Sequence, residues 1–159
     1  MKPFEDPDYM SKIKEKLNDD TDTVLKTSKN NTEKKMRKAV ILVADDEAEI
    51  RDVIREMFEM DGFTVYDAED GESAFKIFKE KKSEIDIVII DIQMPKLNGE
   101  KLIKKITYLT KKAKIIVLSS YTKHKISIVP EEYGVSAFLP KPFDLNELRK
   151  KVHSLLNDG

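Results

Sequence analysis

Cysteine is absent from the chain, which excludes disulfides, thiolate metal ligands and thiol nucleophiles. Net charge is nearly absent too: 37% of residues are charged, yet acids and bases cancel to a formal -1. With no global field of either sign, nothing draws the chain onto nucleic acid or an anionic membrane. No apolar run approaches the roughly 20 residues that span a bilayer. The opening Met1-Lys-Pro-Phe-Glu-Asp does not lead into the apolar stretch of a secretory signal. Asn30-Asn31-Thr32 fits a glycosylation sequon, but it stands in a polar segment with no signal ahead of it and is read as chance. The expectation is a soluble cytoplasmic protein that binds neither nucleic acid nor membrane.

The 159 residues suit one domain of roughly 100–150 residues plus an extension. Residues 1–38 carry ten Lys/Arg against eight Asp/Glu and few large apolar side chains. Behind Asp8, a fitting N-cap, Tyr9, Ile13 and Leu17 recur at helical spacing, so one short helix is expected near 8–18. The stretch 18–35 cannot bury enough apolar area to offset its ordering entropy, and 1–38 reads as a polar linker. From 39 to 159 the texture changes to short apolar runs at 39–44, 63–68, 85–90, 114–118 and 136–139, alternating with amphipathic stretches. Ile85-Asp-Ile-Val-Ile-Ile and Ile115-Ile-Val-Leu are unbroken and β-branched, as in parallel strands covered on both faces. Ile50, Val53, Ile54, Met57 and Phe58 follow helical spacing, with Gly62 as a stop signal. Further stripes are Ala74, Ile77 and Phe78; Leu102, Ile103, Ile106 and Leu109; and Leu145, Leu148, Val152 and Leu155, opened by Asp144 and Glu147 as a capping box. Five strands alternating with about five helices predict a doubly wound α/β parallel sheet with helices on both faces. Ligands in such sheets sit outside the carboxyl ends of the strands.

Those ends carry chemistry. The first strand ends in Ala44-Asp45-Asp46-Glu47, which fits two hard carboxylate ligands for a cation such as Mg2+. It also fits an N-cap at Asp46 boxed with Glu49. The third ends at Asp91, either a turn residue or a carboxylate nucleophile able to hold a phosphoryl group as a mixed anhydride. The fourth ends in Ser119-Ser120 and the fifth in Pro140-Lys141-Pro142; a hydroxyl or a lysine there is ordinarily a turn or surface residue. Together they point to one pocket. Carboxylates about 4 Å apart repel by several kcal/mol per pair at an effective dielectric near 20, so the group requires a divalent cation and a cationic side chain. Lys141 is the second, and Mg2+ the natural first.

Asp45-Asp46, Asp91-x-x-Met94-Pro95-x-x-x-Gly99, Ser119 and Lys141-Pro142, in that order, resemble the receiver domain of bacterial two-component response regulators over about residues 38–157. The resemblance implies a flavodoxin-like strand order 2-1-3-4-5 and a chemotaxis-type, stand-alone receiver. It implies Asp91 as phosphoacceptor, with Asp46, Asp91 and the backbone carbonyl of Gln93 holding Mg2+ (Mn2+ as a substitute), and Asp45 acting mainly through a water on the metal. Ser119 would hydrogen-bond one phosphoryl oxygen and Lys141 neutralise another. Phe138 would be the aromatic switch that moves inward with Ser119, and the Lys141-Pro142 peptide would be cis. The implied partners are a histidine kinase as phosphoryl donor and a target or phosphotransfer protein. The role is a signalling switch, not a turnover enzyme.

The chain departs from that pattern at Ser120, at Pro140, which should end the fifth strand early, and across 122–134, where Pro130 should shorten or kink a helix. His124 and His153 are expected in solvent. The sequence ends at Gly159 after the last helix, so no C-terminal output domain is expected. An alternative is an aspartyl-phosphate hydrolase resembling haloacid-dehalogenase-type phosphatases, but these usually carry an acid two residues after the nucleophile, where this chain has Gln93. A nucleic-acid role for the Lys-rich 1–38 is weakened by its interleaved acids.

Overall fold

β-Branched runs and amphipathic stretches alternate as the sequence predicts in the computed structural model, which describes residues 38–120 and 130–158. The order is β1 (Val40–Ala44), α1 (Ala48–Met60), β2 (Thr64–Ala68), α2 (Gly71–Lys81), β3 (Ile87–Asp91), α3 (Gly99–Leu109), β4 (Lys114–Ser119), a 3-10 turn (Pro130–Tyr133), β5 (Val135–Pro140) and α4 (Leu145–Asn157). The five strands are all parallel in the order β2-β1-β3-β4-β5. The short helix expected near 8–18, His124 and residues 122–129 of the expected shortened or kinked helix at 122–134 lie outside the described residues. Among the described residues, no helix is long and apolar enough to cross a membrane.

Strand periodicity divides the core into two layers. Ile41, Val43, Ile87, Ile89, Ile116 and Leu118 point to the side covered by α1 and α4. Val40, Leu42, Ala44, Val88, Ile90, Ile115 and Val117 point to the side covered by α2 and α3. Each side chain is lost from water at about 1.5–3 kcal/mol, so both sides of the sheet hold it in register. A one-residue slip in β3 would exchange its layers. The polar groups at the strand ends inherit their directions from this register.

Local chemistry sets the helix boundaries. α2 and α3 start at Asp70 and Asn98, whose side chains accept from the Ser73 and Lys101 amides at 2.8 and 3.0 Å. Asp144 opens α4 by accepting from the Asn146 and Glu147 amides. α1 ends as expected, with Gly62 at φ +89. Its start differs from expectation: the N-cap is Glu47, which makes no side-chain cap bond, so Asp46 does not begin a capping box. β5 also differs, running through Pro140. Lys141 N–H donates to the Ser119 carbonyl at 2.8 Å, so the alternation of a parallel strand turns the Pro140 nitrogen away from β4, where no donor is needed. Pro130 begins the 3-10 turn, a first-turn position that proline tolerates.

Candidate functional site

The carboxyl ends of β1 and β3 are neighbours, because the chain winds outward in both directions from β1. Asp91 is the last residue of β3, level with Leu118 of β4, and it is buried, as is Asp45 directly after β1. Asp46 follows and is exposed. One carboxylate oxygen from each of Asp45, Asp46 and Asp91 lies within 4.8 Å of the others. Such a set of hard oxygens, on backbones that cannot separate, matches the donor chemistry of a small divalent cation.

Lys141 reaches into this group from the loop after β5. Its ammonium lies 2.9 Å from Asp45 Oδ2, 3.2 Å from Asp91 Oδ2 and 3.6 Å from Glu47 Oε1. The peptide that follows, Lys141-Pro142, is cis, as the resemblance implies. Ser119, buried, ends β4, and its carbonyl anchors the Lys141 amide. Phe138, half-buried on β5, packs in the layer below α2 and α3. Gln93 is exposed, and its amide donates to Asp91 Oδ1 at 3.1 Å, which orients the carboxylate. Asp45, Asp46, Asp91, Gln93, Ser119 and Lys141 therefore lie at or just after the carboxyl ends of their strands, with Phe138 two residues before the end of β5.

Burial dominates the electrostatics. It pushes the Asp91 carboxyl up to about 7, helped by the charge of Asp45 and opposed by Lys141. Burial also raises Asp45, against Lys141 and the Glu47 amide. For Lys141 burial acts to lower the value, but Asp45 and Asp91 outweigh it and hold the ammonium protonated. Lys141 alone does not offset the burial of these carboxylates: Asp45 and Asp91 both stay above the usual carboxylate range.

Gly99 fixes the floor of the site. A Cβ there would sit 2.5 Å from the Asp91 carbonyl oxygen and 2.6 Å from the Ile92 Cα, so only hydrogen fits. Gly71 is as tightly placed, with a Cβ position 1.8 Å from the Leu97 carbonyl oxygen. That contact and the 3.4 Å Lys96–Asp70 ion pair fasten the loop carrying Gln93 to the start of α2.

Several side-chain contacts were not evident from the sequence. Glu47 faces Lys141, and Arg51 Nη1 donates to the Asp45 carbonyl at 2.7 Å; a backbone acceptor six residues back leaves no side-chain signal. His153 corrects an expectation. It is half-buried, not in solvent, with Nε2 2.9 Å from Asp61 Oδ2 and its ring 5.2 Å from that of Phe63. Arg149 holds the same Asp61 at 2.5 and 2.9 Å, closing a clasp between α1 and α4. Arg149 and His153, four apart on α4, were the signal available. A cavity of about 500 Å³ lined by Lys104, Tyr108, Lys111 and Tyr133 opens beside Ala113 and Gly134, at the amino ends of β4 and β5. It is at the opposite edge of the sheet from the acids.

Comparison with known proteins gives a consistent result. A family model described as "Response regulator receiver domain" matches residues 41–153. The chain is 33% identical over 116 residues to the transcriptional regulatory protein CpxR of Escherichia coli (strain K12), covering 73% of this chain and 48% of that protein. It thus spans about half the length of the curated relatives of this kind that it matches. Its fold is similar to the crystal structure of a response regulator receiver domain protein from Clostridium thermocellum, with a TM-score of 0.70, 32% identity, and 76% of this chain and 95% of that one covered. It is also similar to TrrA from Thermotoga maritima, solved in complex with Mg(2+)-BeF, with a TM-score of 0.64, 34% identity, and coverage of 74% and 98%.

Proposed function

The chain belongs to the response regulator receiver domain family, and on that premise we propose that it is a phosphorylation-dependent switch, accepting a phosphoryl group on Asp91 from a histidine kinase. The observation that carries this reading is the arrangement of Asp45, Asp46 and Asp91 within 4.8 Å, with Lys141 spanning Asp45 and Asp91. In this reading 39–159 is the receiver unit, 1–38 a polar linker, and the location cytoplasmic.

Asp45, Asp46, Asp91 and the Gln93 carbonyl are the groups that would hold Mg2+. Once bound, it supplies positive charge to the oxygens of the phosphoryl group in transfer. The remaining steps belong to the protein's own groups. Ionised Asp91 forms the new P–O bond with one carboxylate oxygen, as the P–N bond to the donor imidazole breaks and the ring takes up a proton. Asp91 must be ionised to attack, so its raised value makes the reaction depend on the positive charge around it. Lys141, already 3.2 Å from Asp91 Oδ2, then follows the charge onto a phosphoryl oxygen. The Ser119 hydroxyl donates to another, and Phe138 moves inward behind it to alter the surface offered to a target or phosphotransfer protein. Gln93 gives no acid to turn the intermediate over, so no observation favours the hydrolase alternative.

Incubation with acetyl phosphate and Mg2+ tests the assignment. One acid-stable, base-labile phosphoryl group should appear on the wild-type protein and none on Asp91→Asn; equal labelling of both would remove Asp91 from its role. Partner capture with beryllofluoride-loaded against unloaded protein then reads the switch.

A further inference from the structure

Asp45 is tied down at four points. Its amide donates to the Ala68 carbonyl at 3.1 Å, Oδ1 accepts from the Glu47 amide at 2.8 Å, and Oδ2 meets Lys141 at 2.9 Å. The fourth tie is of another kind: its carbonyl oxygen accepts from Arg51 Nη1 at 2.7 Å. The start of α1 does not require this bond, since a helix N-terminus lacks acceptors for its amides and not donors for the loop before it.

The guanidinium is itself held. Arg51 Nε lies 3.3 Å from Asp67 Oδ2, which Arg55 Nη2 also meets at 3.3 Å. Asp67 is a β2 residue in register with Val43, so its position is set by the sheet. The Arg51 side chain is 14% exposed. A planar, rigid fork fixed at one end by a carboxylate presents its other arm in a defined direction. That arm fixes an oxygen of the Asp45–Asp46 peptide, which is planar, and so fixes the plane from which the Asp46 side chain departs.

We infer that Arg51 is a positioning residue for the cation-binding carboxylates: its bond from Asp67 to the Asp45 carbonyl orients the Asp45–Asp46 peptide so that Asp46 faces Asp91. This rests on the cation site proposed above. It differs in sign from the alternative that Arg51 is only a positive charge near the acids. A charge of that kind repels a divalent cation, and its removal would tighten binding. Removal of a positioning bond weakens binding, as loss of a residue that orients a metal ligand generally does by roughly 10–100-fold.

The test is calorimetric titration of MgCl2 into the chelator-stripped full chain, for wild type, Arg51→Gln, Arg51→Lys and Asp67→Asn. Arg51→Gln should bind Mg2+ roughly tenfold more weakly. Arg51→Lys, which keeps the charge and loses the fork, should also bind more weakly, and Asp67→Asn by a smaller factor. In the metal-free Arg51→Gln protein the amide NMR signals of Asp46 and Glu47 should shift while those of β3 stay in place. Arg51→Gln or Arg51→Lys binding Mg2+ as tightly as wild type, or more tightly, overturns the inference and leaves the cation site standing. Wild-type protein that takes up no Mg2+, or takes it up equally with Asp46→Asn, overturns the cation site and the role of Arg51 with it.

Discussion

Replacing Asp91 by Asn keeps the shape of the side chain and removes its charge, so the variant measures what that buried charge does to the fold. Asp91 is pushed from 3.8 to about 7, by burial first and by Asp45 second. An acid whose folded value lies above its unfolded one favours folding only while protonated. Its contribution is full below about 3.8 and is lost as pH rises through about 7. At 1.36 kcal/mol for each pH unit between the two values, the ionised carboxylate opposes folding by about 4 kcal/mol at pH 8 and about 2 at pH 5. At pH 4 the difference is well under 1 kcal/mol. The assay is urea or thermal unfolding of both proteins, stripped with a chelator, from pH 4 to pH 8. Asp91→Asn should be the more stable, by a margin that grows across this range; even about 1 kcal/mol moves Tm by about 3 °C or more. Mg2+ at pH 8 should then stabilise the wild type more than the variant, since only the wild type gains by offsetting the charge. A constant margin from pH 4 to pH 8, or a variant less stable throughout, would refute the account of Asp91 as an acid that burial holds above its usual range.

Three further outcomes follow from the packing. Gly99→Ala sets a methyl against the Asp91 carbonyl and Ile92, costing about 1–3 kcal/mol in unfolding free energy and slowing labelling by acetyl phosphate. Asp61→Asn takes away the carboxylate charge that Arg149 and His153 share, and the urea midpoint should fall by an amount equivalent to about 1.5–3 kcal/mol. Asp70→Ala removes the cap of α2 and the partner of Lys96, and should cost about 1 kcal/mol by the same measurement.

The sequence displayed the architecture because both of its periods are strict. β1, β3 and β4 are apolar on both faces, so their runs are unbroken, while α1 repeats its apolar positions without exception. The carboxylates of the pocket were legible for the same reason: an acid at the end of such a run stands at the strand's carboxyl end. What was hidden depends on contacts with no local period. Arg51 meets a backbone oxygen, and Arg149 and His153 meet an aspartate at the far end of α1. The start of α1 was misplaced by one residue because Asp46 has the composition of a cap, yet it is Asp45 that accepts the Glu47 amide. β5 outlasted its expected end because proline is penalised only where a neighbour needs its donor.

That last detail limits how another molecule can approach. β5 is an outer strand, and its outward-facing backbone position nearest the acids falls at Pro140. It offers no amide hydrogen, so an extended segment laid along this rim would find a carbonyl unanswered there. Recognition of the charged rim is left to side chains, which can rearrange when a charge appears, and is denied to backbone pairing, which cannot.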